Sequence, residues 1–279
     1  MLIGFSCPLS NKPIKFEECF KGCKSRCHPL PLLLSLAHSR EVEDMVYSVT
    51  EILNPPQVVF MNRNFNYYES PQSLVWSSFG TAFHKLMESH NKTLAELKVH
   101  EDYRIEESFD WEMRTDGGQG WLTGTPDLYH VPSKTLWDFK TKKFYYDLKY
   151  FLPANWKEWD KEKWQMNIYR VFKWKEAEQM KLEVLVKDWN RGLKEREHID
   201  PIMQFDVPFI DDQEVKDTVN ELFGTHLKNQ DDPSKIRDCT KEELWINKNG
   251  IPLRCTEYCS AGKDNCPQFK KWKSKHKEK

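Results

Sequence analysis

Apolar residues recur at helical spacing in the N-terminal half of the chain. Phe79, Phe83 and Leu86 fall at i, i+4 and i+7, which predicts a helix over about Ser73–Asn91 with these side chains facing the core. An earlier helix is predicted over Arg40–Leu53, where two consecutive prolines follow.

Strands are predicted next, over residues 103–143. Two apolar runs, Leu122–Tyr129 and Thr135–Thr141, flank a short connection with Pro and Ser, which indicates a hairpin. The later predicted elements are a helix over Asn155–Ala177, strands over Leu182–Val186 and Gln204–Phe209, and a helix over Asp212–Lys228. This order predicts an α/β fold, a mixed sheet flanked by helices.

Composition excludes a disordered or membrane-spanning chain. The 279 residues are 39% hydrophobic and 13% aromatic, enough to form a large core. The longest apolar run, Leu30–Leu34, is far shorter than the ~20 residues that a membrane helix needs. Because the start of the chain lacks a basic segment followed by an apolar one, we expect a cytoplasmic protein with no membrane partner.

Charge is distributed unevenly along a chain whose net charge is −1. Residues 134–175 carry a net +6 and residues 263–279 a net +5, whereas residues 195–221 carry −7. Local basic segments on a near-neutral protein favour a polyanion such as DNA as the partner, although solvated helix faces would also produce them.

The eight cysteines form two groups of four, which lie at opposite ends of the chain. The groups are Cys7, Cys19, Cys23 and Cys27, and Cys239, Cys255, Cys259 and Cys266. Because a reducing compartment disfavours disulfides, clustered thiols there indicate metal binding. We therefore predict a Cys-rich element over residues 1–40, a core over 41–230, and a Cys-rich element with a basic tail over 231–279.

Two aspartates and a lysine carry the candidate chemistry. Asp127 follows a proline, and Asp138 and Lys140 come later on the second strand of the predicted hairpin. The hairpin brings the two carboxylates together, and their repulsion favours a divalent cation such as Mg²⁺ or Mn²⁺. Lys140 shares a strand face with Asp138, which is the arrangement that phosphodiester hydrolysis needs.

This pattern is similar to that of the PD-(D/E)XK nucleases, in which Pro-Asp is followed by Asp-x-Lys. Gly80 and His84, on the helix before the sheet, resemble the RecB-like branch of that superfamily, as do Gln165 and Tyr169 on the helix after it. The ordered motifs lie within about residues 45–225. The resemblance implies a restriction-endonuclease-like fold.

The resemblance also implies roles for individual residues. His84, Asp127, Asp138 and the backbone carbonyl of Phe139 would bind the cation, with Lys140 as the catalytic lysine. Gln165 and Tyr169 would position the scissile strand. The missing side chain of Gly80 would let another backbone approach the helix closely. Three acids before the hairpin are further candidates for binding a second cation, and spacing does not choose among them: Glu106, Glu107 and Glu112.

The C-terminal cysteines have the number needed for a tetrahedral zinc site or a 4Fe–4S cluster. They resemble the iron–sulfur staple of RecB-like nucleases, including the CRISPR-adaptation exonucleases, although the spacing differs from theirs. We slightly favour the cluster. Its fourth ligand would be Cys239 or, since the relatives place one cysteine before the core, Cys27.

The N-terminal cysteines predict a small zinc site, but with a geometric condition. Cys19, Cys23 and Cys27 at i, i+4 and i+8 of one helix would spread their sulfurs over about 12 Å, so the chain must bend near Gly22 or before Pro29. Cys7, or His28 in place of one thiol, would complete the site. A buried apolar stripe of cysteines is the alternative.

Together these features predict a metal-dependent deoxyribonuclease, more typically an exonuclease, that acts on single-stranded DNA or DNA ends in recombination, repair or processing. Such nucleases are often viral or phage-encoded, and a recombination or replication protein is a possible partner. Trp156 and Trp159, beside several lysines, are the predicted exposed aromatic residues near the DNA. The alternatives are a non-catalytic DNA-binding subunit and a zinc-organised interaction module.

Overall fold

The computed structural model describes residues 1–38, 42–152, 155–231 and 233–276. In these ranges eleven strands form three sheets. The strands are β1 Leu2–Ser6, β2 Pro13–Lys15, β3 Val46–Ser48, β4 Tyr67–Glu69, β5 Tyr103–Ile105, β6 Phe109–Thr115, β7 Gly118–Gly124, β8 Leu128–His130, β9 Thr135–Lys142, β10 Gln179–Val186 and β11 Ile202–Asp206.

Thirteen α-helices accompany these strands in the described ranges. They are α1 Phe16–Gly22, α2 Leu30–Leu36, α3 Val49–Ile52, α4 Pro56–Asn64, α5 Pro71–Glu88, α6 Asn91–Glu96, α7 Lys149–Phe151, α8 Asp160–Phe172, α9 Arg191–Glu197, α10 Asp212–Asp231, α11 Lys241–Leu244, α12 Gly262–Asn265 and α13 Pro267–His276. Short 3₁₀ turns cover His100–Asp102 and Pro233–Lys235, and π-helical turns cover Phe144–Leu148 and Arg254–Tyr258.

The central sheet has the strand order β11-β10-β9-β8-β5. β9 runs parallel to β10, and the other neighbouring pairs are antiparallel. Alternate residues of β10, from Met180 to Val186, are buried, as the period of a strand with one face on the core requires. The prediction of an α/β fold with a mixed sheet is confirmed, and β9 is its central strand.

A second sheet, of order β3-β7-β6, packs on the long helix α10. The turn between β6 and β7 approaches α10 backbone to backbone. A Cβ atom added at Gly117 would lie 2.3 Å from the carbonyl oxygen of Gly224, so this approach excludes any side chain at Gly117.

The predicted helix over Arg40–Leu53 is wrong in its described part, from residue 42 onward. Val46–Ser48 forms β3, which pairs in parallel with β7, and only Val49–Ile52 is helical. The buried Ser48 accepts the backbone N–H of Glu51, while the Glu51 side chain accepts the backbone N–H of Ser48. This capping box starts the helix after the strand has ended.

The helix over Ser73–Asn91 is present as α5, but the prediction that its apolar stripe faces the core is wrong. Phe79 is 51% exposed and Leu86 is 55% exposed, and of the α5 residues only Pro71 is buried. The cause is the position of α5 at the rim of the fold, where it packs against α2 and β9 on one side only.

The helix predicted over Asn155–Ala177 is shorter, since α8 covers Asp160–Phe172. The predicted exposure of Trp156 and Trp159 is also wrong. Trp159 is 4% exposed and stacks on Phe151 at a centroid distance of 3.9 Å, and Trp156 packs against the same core. Burying their apolar surface between α8 and the sheet is more favourable than exposing it to water.

Both ends of the chain have small cores of their own. The sheet β2-β1-β4 with α1 and α2 surrounds Phe5, Cys19 and Leu33. Near the C-terminus, cysteines and Phe269 pack against Met61 of α4. In the described part of the chain, no helix combines the length and apolar character needed to cross a membrane.

His226 of α10 makes the stability of the main core depend on pH. It is 3% exposed, its Nε2 lies 3.2 Å from the carbonyl oxygen of Ile52, and burial lowers its pKa below the usual 6.5. Below about pH 6.5 the unfolded chain therefore binds a proton that the folded chain takes up less readily, and the free energy of unfolding falls.

We expect His226→Gln, whose amide can still donate to Ile52, to remove this acid sensitivity. Between about pH 7 and pH 5 the variant should lose less free energy of unfolding than the parent, by up to about 2 kcal/mol. Urea unfolding at a series of pH values measures the difference. Equal pH slopes for the two proteins would contradict this account.

Candidate active site

The hairpin of β8 and β9 brings Asp127 onto the central strand. β8 pairs antiparallel with β9 in the register Leu128 opposite Trp137. Asp127, immediately before β8, continues this register to a position opposite Asp138, and the backbone N–H of the next residue, Phe139, donates to Asp127 Oδ2 at 2.6 Å. This bond fixes a buried carboxylate against the middle of β9.

Asp138 and Lys140 lie two residues apart on β9 and are in contact. Lys140 Nζ donates to Asp138 Oδ1 at 3.0 Å and lies 2.7 Å from Oδ2. Asp138 is 1% exposed, and its Oδ2 is buried without a hydrogen bond of regular geometry. A buried carboxylate oxygen in this state has capacity left for another positive partner.

Gln165 and Tyr169 of α8 cover the same carboxylate. Gln165 Nε2 lies 3.5 Å from Asp138 Oδ1 and donates to the Tyr169 hydroxyl at 3.0 Å. Both side chains are buried. The structure thus brings both residues of this predicted pair to the site, one turn apart on one helix face.

His84 of α5 meets Asp127 from the other side, together with Glu106. His84 Nδ1 lies 2.6 Å from Glu106 Oε1 and 3.6 Å from Asp127 Oδ1. One potential ligand atom from each of these three residues lies within 4.8 Å of the other two. Asp138, predicted as a ligand with His84 and Asp127, lies outside this group.

Of the three acids that the sequence offered before the hairpin, Glu106 is the one that lies at the site. Spacing alone did not select it. Its backbone N–H donates to the Asp127 carbonyl oxygen at 3.1 Å, and its φ of 52° lies in the left-handed region. A Glu residue seldom adopts this conformation, which costs free energy. Here it directs the carboxylate toward His84. Glu107 instead pairs with Lys173, and Glu112 with Arg114.

The charges of the site act strongly on one another. Burial, and next the Asp138 carboxylate, raise the pKa of Asp127 to about 7. The hydrogen bond to Glu106 raises the pKa of His84. Burial works against the charge of Lys140, but Asp138 and Asp127 raise its pKa above the ordinary value. The site therefore has an excess of acidic groups that one ammonium does not neutralise.

These residues fit a hard divalent cation. Carboxylate and imidazole groups are suitable ligands for Mg²⁺ or Mn²⁺. Asp138 is close enough to Asp127 for its charge to raise the pKa of that carboxyl, and its own Oδ2 lies 2.7 Å from Lys140 Nζ. The close approach of another backbone that was predicted at Gly80 is not observed among the described residues. A Cβ atom added there would meet no atom within 4 Å, so no backbone approaches the helix at that position.

The four C-terminal cysteines line one small cavity beside α4. All four are buried, and burial raises the pKa of Cys239 to about 12 and that of Cys255 to about 11. Cys239, rather than Cys27, accompanies the last three thiols. Arg254, whose Nε is buried without a hydrogen bond among the described residues, lines the same cavity. The sequence analysis did not select it, although it directly precedes Cys255.

The N-terminal cysteines also come near one another. α1 ends at Gly22, so the chain leaves the helix between Cys19 and Cys23 and meets the predicted condition for a bend. Cys19 is close enough to the other three thiols for their charges to raise its pKa, after the larger effect of burial. Cys27 and Cys19 belong to the same small core.

The chain has little detectable similarity to known proteins. No protein-family model and no curated protein matches it. A solved structure described as "Crystal structure of SSO0001" is similar, with 16% sequence identity and a TM-score of 0.48, over 85% of this chain and 92% of that one.

We expect Mn²⁺ to stabilise the protein through the group of His84, Glu106 and Asp127. At about 100 times the dissociation constant, binding to the folded state would add about 2.7 kcal/mol to the free energy of unfolding and raise Tm. Asp127→Asn should abolish most of this rise, because it removes a charged ligand while keeping an oxygen for the Phe139 N–H.

Thermal unfolding with Mn²⁺ or EDTA measures the effect. Glu112→Gln is the matched control, since this acid on β6 lies outside the group and hydrogen-bonds with Arg114 and Gln119. It should respond as the parent does. An equal rise in Tm for Asp127→Asn and the parent would exclude Asp127 as a ligand.

Proposed function

We propose that the protein is a divalent-metal-dependent DNA nuclease that hydrolyses phosphodiester bonds, of the PD-(D/E)XK type and its RecB-like branch. The observation that carries this proposal is the convergence of His84, Glu106 and Asp127 on one point, together with the ion pair of Lys140 and Asp138 on β9. The order of these residues along the chain supports it further.

His84, Glu106 and Asp127 would hold the cation, with Asp138 next to them. A bound Mg²⁺ or Mn²⁺ would supply Lewis acidity toward a phosphoryl oxygen and a water molecule of lowered pKa. Lys140, kept protonated by the two aspartates, would stabilise the negative charge that develops on the phosphate. The backbone carbonyl of Phe139 would be a further ligand of the cation, and its backbone N–H already holds Asp127.

Gln165 and Tyr169 would position the strand to be cut. Their hydrogen bond to each other and the approach of Gln165 to Asp138 hold this part of α8 against the site. The burial that raises the pKa of Tyr169, with Asp138 adding to the effect, keeps its hydroxyl protonated and able to donate.

We infer that the enzyme acts on DNA ends as an exonuclease in recombination, repair or processing, with a recombination or replication protein as a partner. The RecB-like resemblance and the local basic segments support this inference. Action in the cytoplasm, in a host cell if the chain is viral, agrees with eight cysteines that form no disulfide in the structure.

The catalytic proposal is tested with end-labelled linear DNA and Mn²⁺. We expect the parent to degrade the DNA, and Asp138→Asn and Lys140→Met each to lower the rate by at least about 100-fold, because each removes a charge from the reacting region. Lys134→Met is the matched control, since this exposed lysine of the same hairpin pairs with Glu178 at the surface.

Far-UV circular dichroism should show that all three variants are folded. DNA binding without cleavage by the parent in Mn²⁺ would overturn the enzymatic proposal in favour of a non-catalytic DNA-binding subunit. Neither cleavage nor DNA binding would favour an interaction module organised by its metal sites.

At the C-terminal cysteines we propose a 4Fe–4S cluster rather than zinc. Four buried thiols line one cavity there and provide the ligands of such a cluster, as in the iron–sulfur staple that this segment resembles. Arg254 lines the same cavity and would offset the negative charge of the cluster.

At the N-terminal cysteines we propose a structural zinc ion. Cys7, Cys23 and Cys27 are only half-buried and lie outside helices and strands, so their thiols can turn toward one ion with Cys19. The Ser10 side chain, and next the backbone of Ser10 and Leu9, hydrogen-bond to Cys7 and lower its pKa. Such bonds stabilise the thiolate that a metal requires.

Gly262 gives a sharp test of the C-terminal site. A Cβ atom there would lie 2.6 Å from Cys259 Sγ, so Gly262→Ala should displace this sulfur, reduce the iron content and lower Tm. Gly80→Ala is the matched control, since its Cβ meets nothing within 4 Å. It should keep its metal and gain up to about 1 kcal/mol of helix stability.

Absorbance scans and elemental analysis of anaerobically purified protein give the readout. Full iron content in Gly262→Ala, or zinc in place of iron in the parent, would contradict the cluster. In the same analysis Cys7→Ser should lose zinc and keep iron.

A further inference from the structure

Three lysines share one exposed face of the helix α13. They are Lys270, Lys271 and Lys275, and each of them is exposed. At about 100° per residue, their positions fall within about 140° of the helix circumference. Ser274, also exposed, lies between them, whereas Phe269 on the opposite side is 4% exposed. This surface is called the α13 lysine face below.

The α13 lysine face carries positive charge that the fold does not neutralise. Within the described ranges, no acceptor forms an ion pair or a hydrogen bond with the ammonium group of Lys270, Lys271 or Lys275. The acids of residues 263–279 are Asp264, on α12, and Glu278, which lies outside the described residues. Lys271 and Lys275 are also at i and i+4, where like charges repel each other. An external anion would therefore stabilise this face.

The helix that carries the lysines is held in place by the C-terminal cysteine element. The Gln268 side chain accepts the backbone N–H of Cys239 at 3.0 Å and donates to the carbonyl oxygen of the same residue at 2.8 Å. Trp272 stacks on Phe269 at a centroid distance of 5.7 Å and on His276 at 4.4 Å. The α13 lysine face therefore has a defined orientation on the folded protein.

The apolar side of α13 is already covered, which disfavours a membrane as the anionic partner. A helix that binds an anionic membrane inserts an apolar face beside its basic residues. On α13, all of whose residues are described, Phe269 is buried in the core beside α4 and Trp272 is half-buried within the ring stack. The lysines can therefore reach an anion only through their ammonium groups.

The composition of the α13 lysine face also favours nucleic acid over a protein. Protein interfaces contain few lysines relative to the rest of the surface and are rich in aromatic residues and arginine. Lysines that contact a nucleic acid mostly bind phosphate oxygens, which requires neither an apolar surface nor a particular sequence of bases. Three lysines and a serine, with no aromatic side chain among them, match the second description.

We propose that the α13 lysine face binds the phosphate backbone of duplex DNA. The inference rests on the proposed nuclease function for the identity of the polyanion, and it names where the double-stranded part of the substrate is held. From Lys270 to Lys275 the helix rises about 7.5 Å. Over that length a duplex carries about four phosphate charges and a single strand about two. A duplex therefore supplies a phosphate for each lysine, and a single strand does not.

The experiment measures binding of a blunt DNA duplex by fluorescence anisotropy over a series of salt concentrations, with no divalent metal added. The triple variant Lys270→Gln/Lys271→Gln/Lys275→Gln removes three phosphate contacts. The slope of log affinity against log salt should become shallower by about 2.7. The ratio of its Kd to that of the parent should fall about 40-fold between about 0.05 M and 0.2 M salt. Since Gln is a good helix former, Tm should not fall.

The matched control is Lys12→Gln/Lys15→Gln/Lys216→Gln, which removes three exposed ammonium groups from other parts of the chain. Its slope should stay within about one of that of the parent. On a single strand of the same length, the α13 variant should lose a slope of only about 1.4. An unchanged duplex slope in the α13 variant would overturn the proposal, as would a loss equally large in the control variant or on the single strand.

Size-exclusion chromatography of the same variants distinguishes a protein partner. If the α13 variant binds the duplex as the parent does but changes its oligomeric state, the face is a contact between copies of the chain and the proposal is wrong.

This proposal and the nuclease can fail separately. If the parent cleaves DNA in Mn²⁺ but the α13 variant keeps the salt slope of the parent, the lysine face is wrong and the nuclease stands. If the parent never cleaves but its duplex binding depends on the three lysines, the nuclease is wrong and the α13 lysine face remains as a DNA-binding surface.

Discussion

The hydrogen bond from the Phe139 backbone to the Asp127 carboxylate organises the whole candidate site. It crosses the hairpin of β8 and β9 and holds a buried carboxylate next to Asp138. Burial, and next the repulsion from Asp138, raise the pKa of Asp127, and this cost of folding is offset by Lys140 only in part. A bound cation would therefore stabilise the folded protein, because it offsets negative charge that is otherwise uncompensated in the core. The central sheet keeps these groups in place, because β9 has hydrogen-bonded neighbours on both sides.

The arrangement of the candidate site residues on strand and helix was largely predictable from the sequence, because strand and helix periodicity fixes their relative positions. Asp138 and Lys140 two apart on a strand, and Gln165 and Tyr169 four apart on a helix, needed no knowledge of the tertiary structure. Glu106 could not be selected, because its role depends on a backbone conformation with positive φ that neighbouring acids do not share. Arg254 was missed although it directly precedes Cys255, because the sequence does not show that its side chain turns into the cavity of the thiols.

The fold was predicted well where apolar period and burial agree, and poorly where they do not. β10 and α10 follow the expected pattern, since they lie in the interior. The stripe of Phe79 and Leu86 has the same helical period, but α5 lies at the rim, and period alone does not reveal which face of a helix meets a neighbour. The short β3 was hidden for another reason, because its pairing partner β7 is distant in sequence. In each case a tertiary contact overrode the local pattern.

The contact between Gly117 and Gly224 joins two distant parts of the chain, the turn between β6 and β7 and the helix α10. One glycine lies in a tight turn and the other within a helix, more than a hundred positions later. A Cβ atom at Gly117 would lie 2.3 Å from the backbone oxygen of Gly224, so a methyl group there must move the helix outward and disturb the Tyr47 hydroxyl, which donates to the His226 carbonyl oxygen two residues further along that helix. A Cβ atom at Gly224 would lie 3.0 Å from side-chain atoms of Thr115 and Asp116 rather than from backbone, so the turn glycine is the stricter requirement of the two.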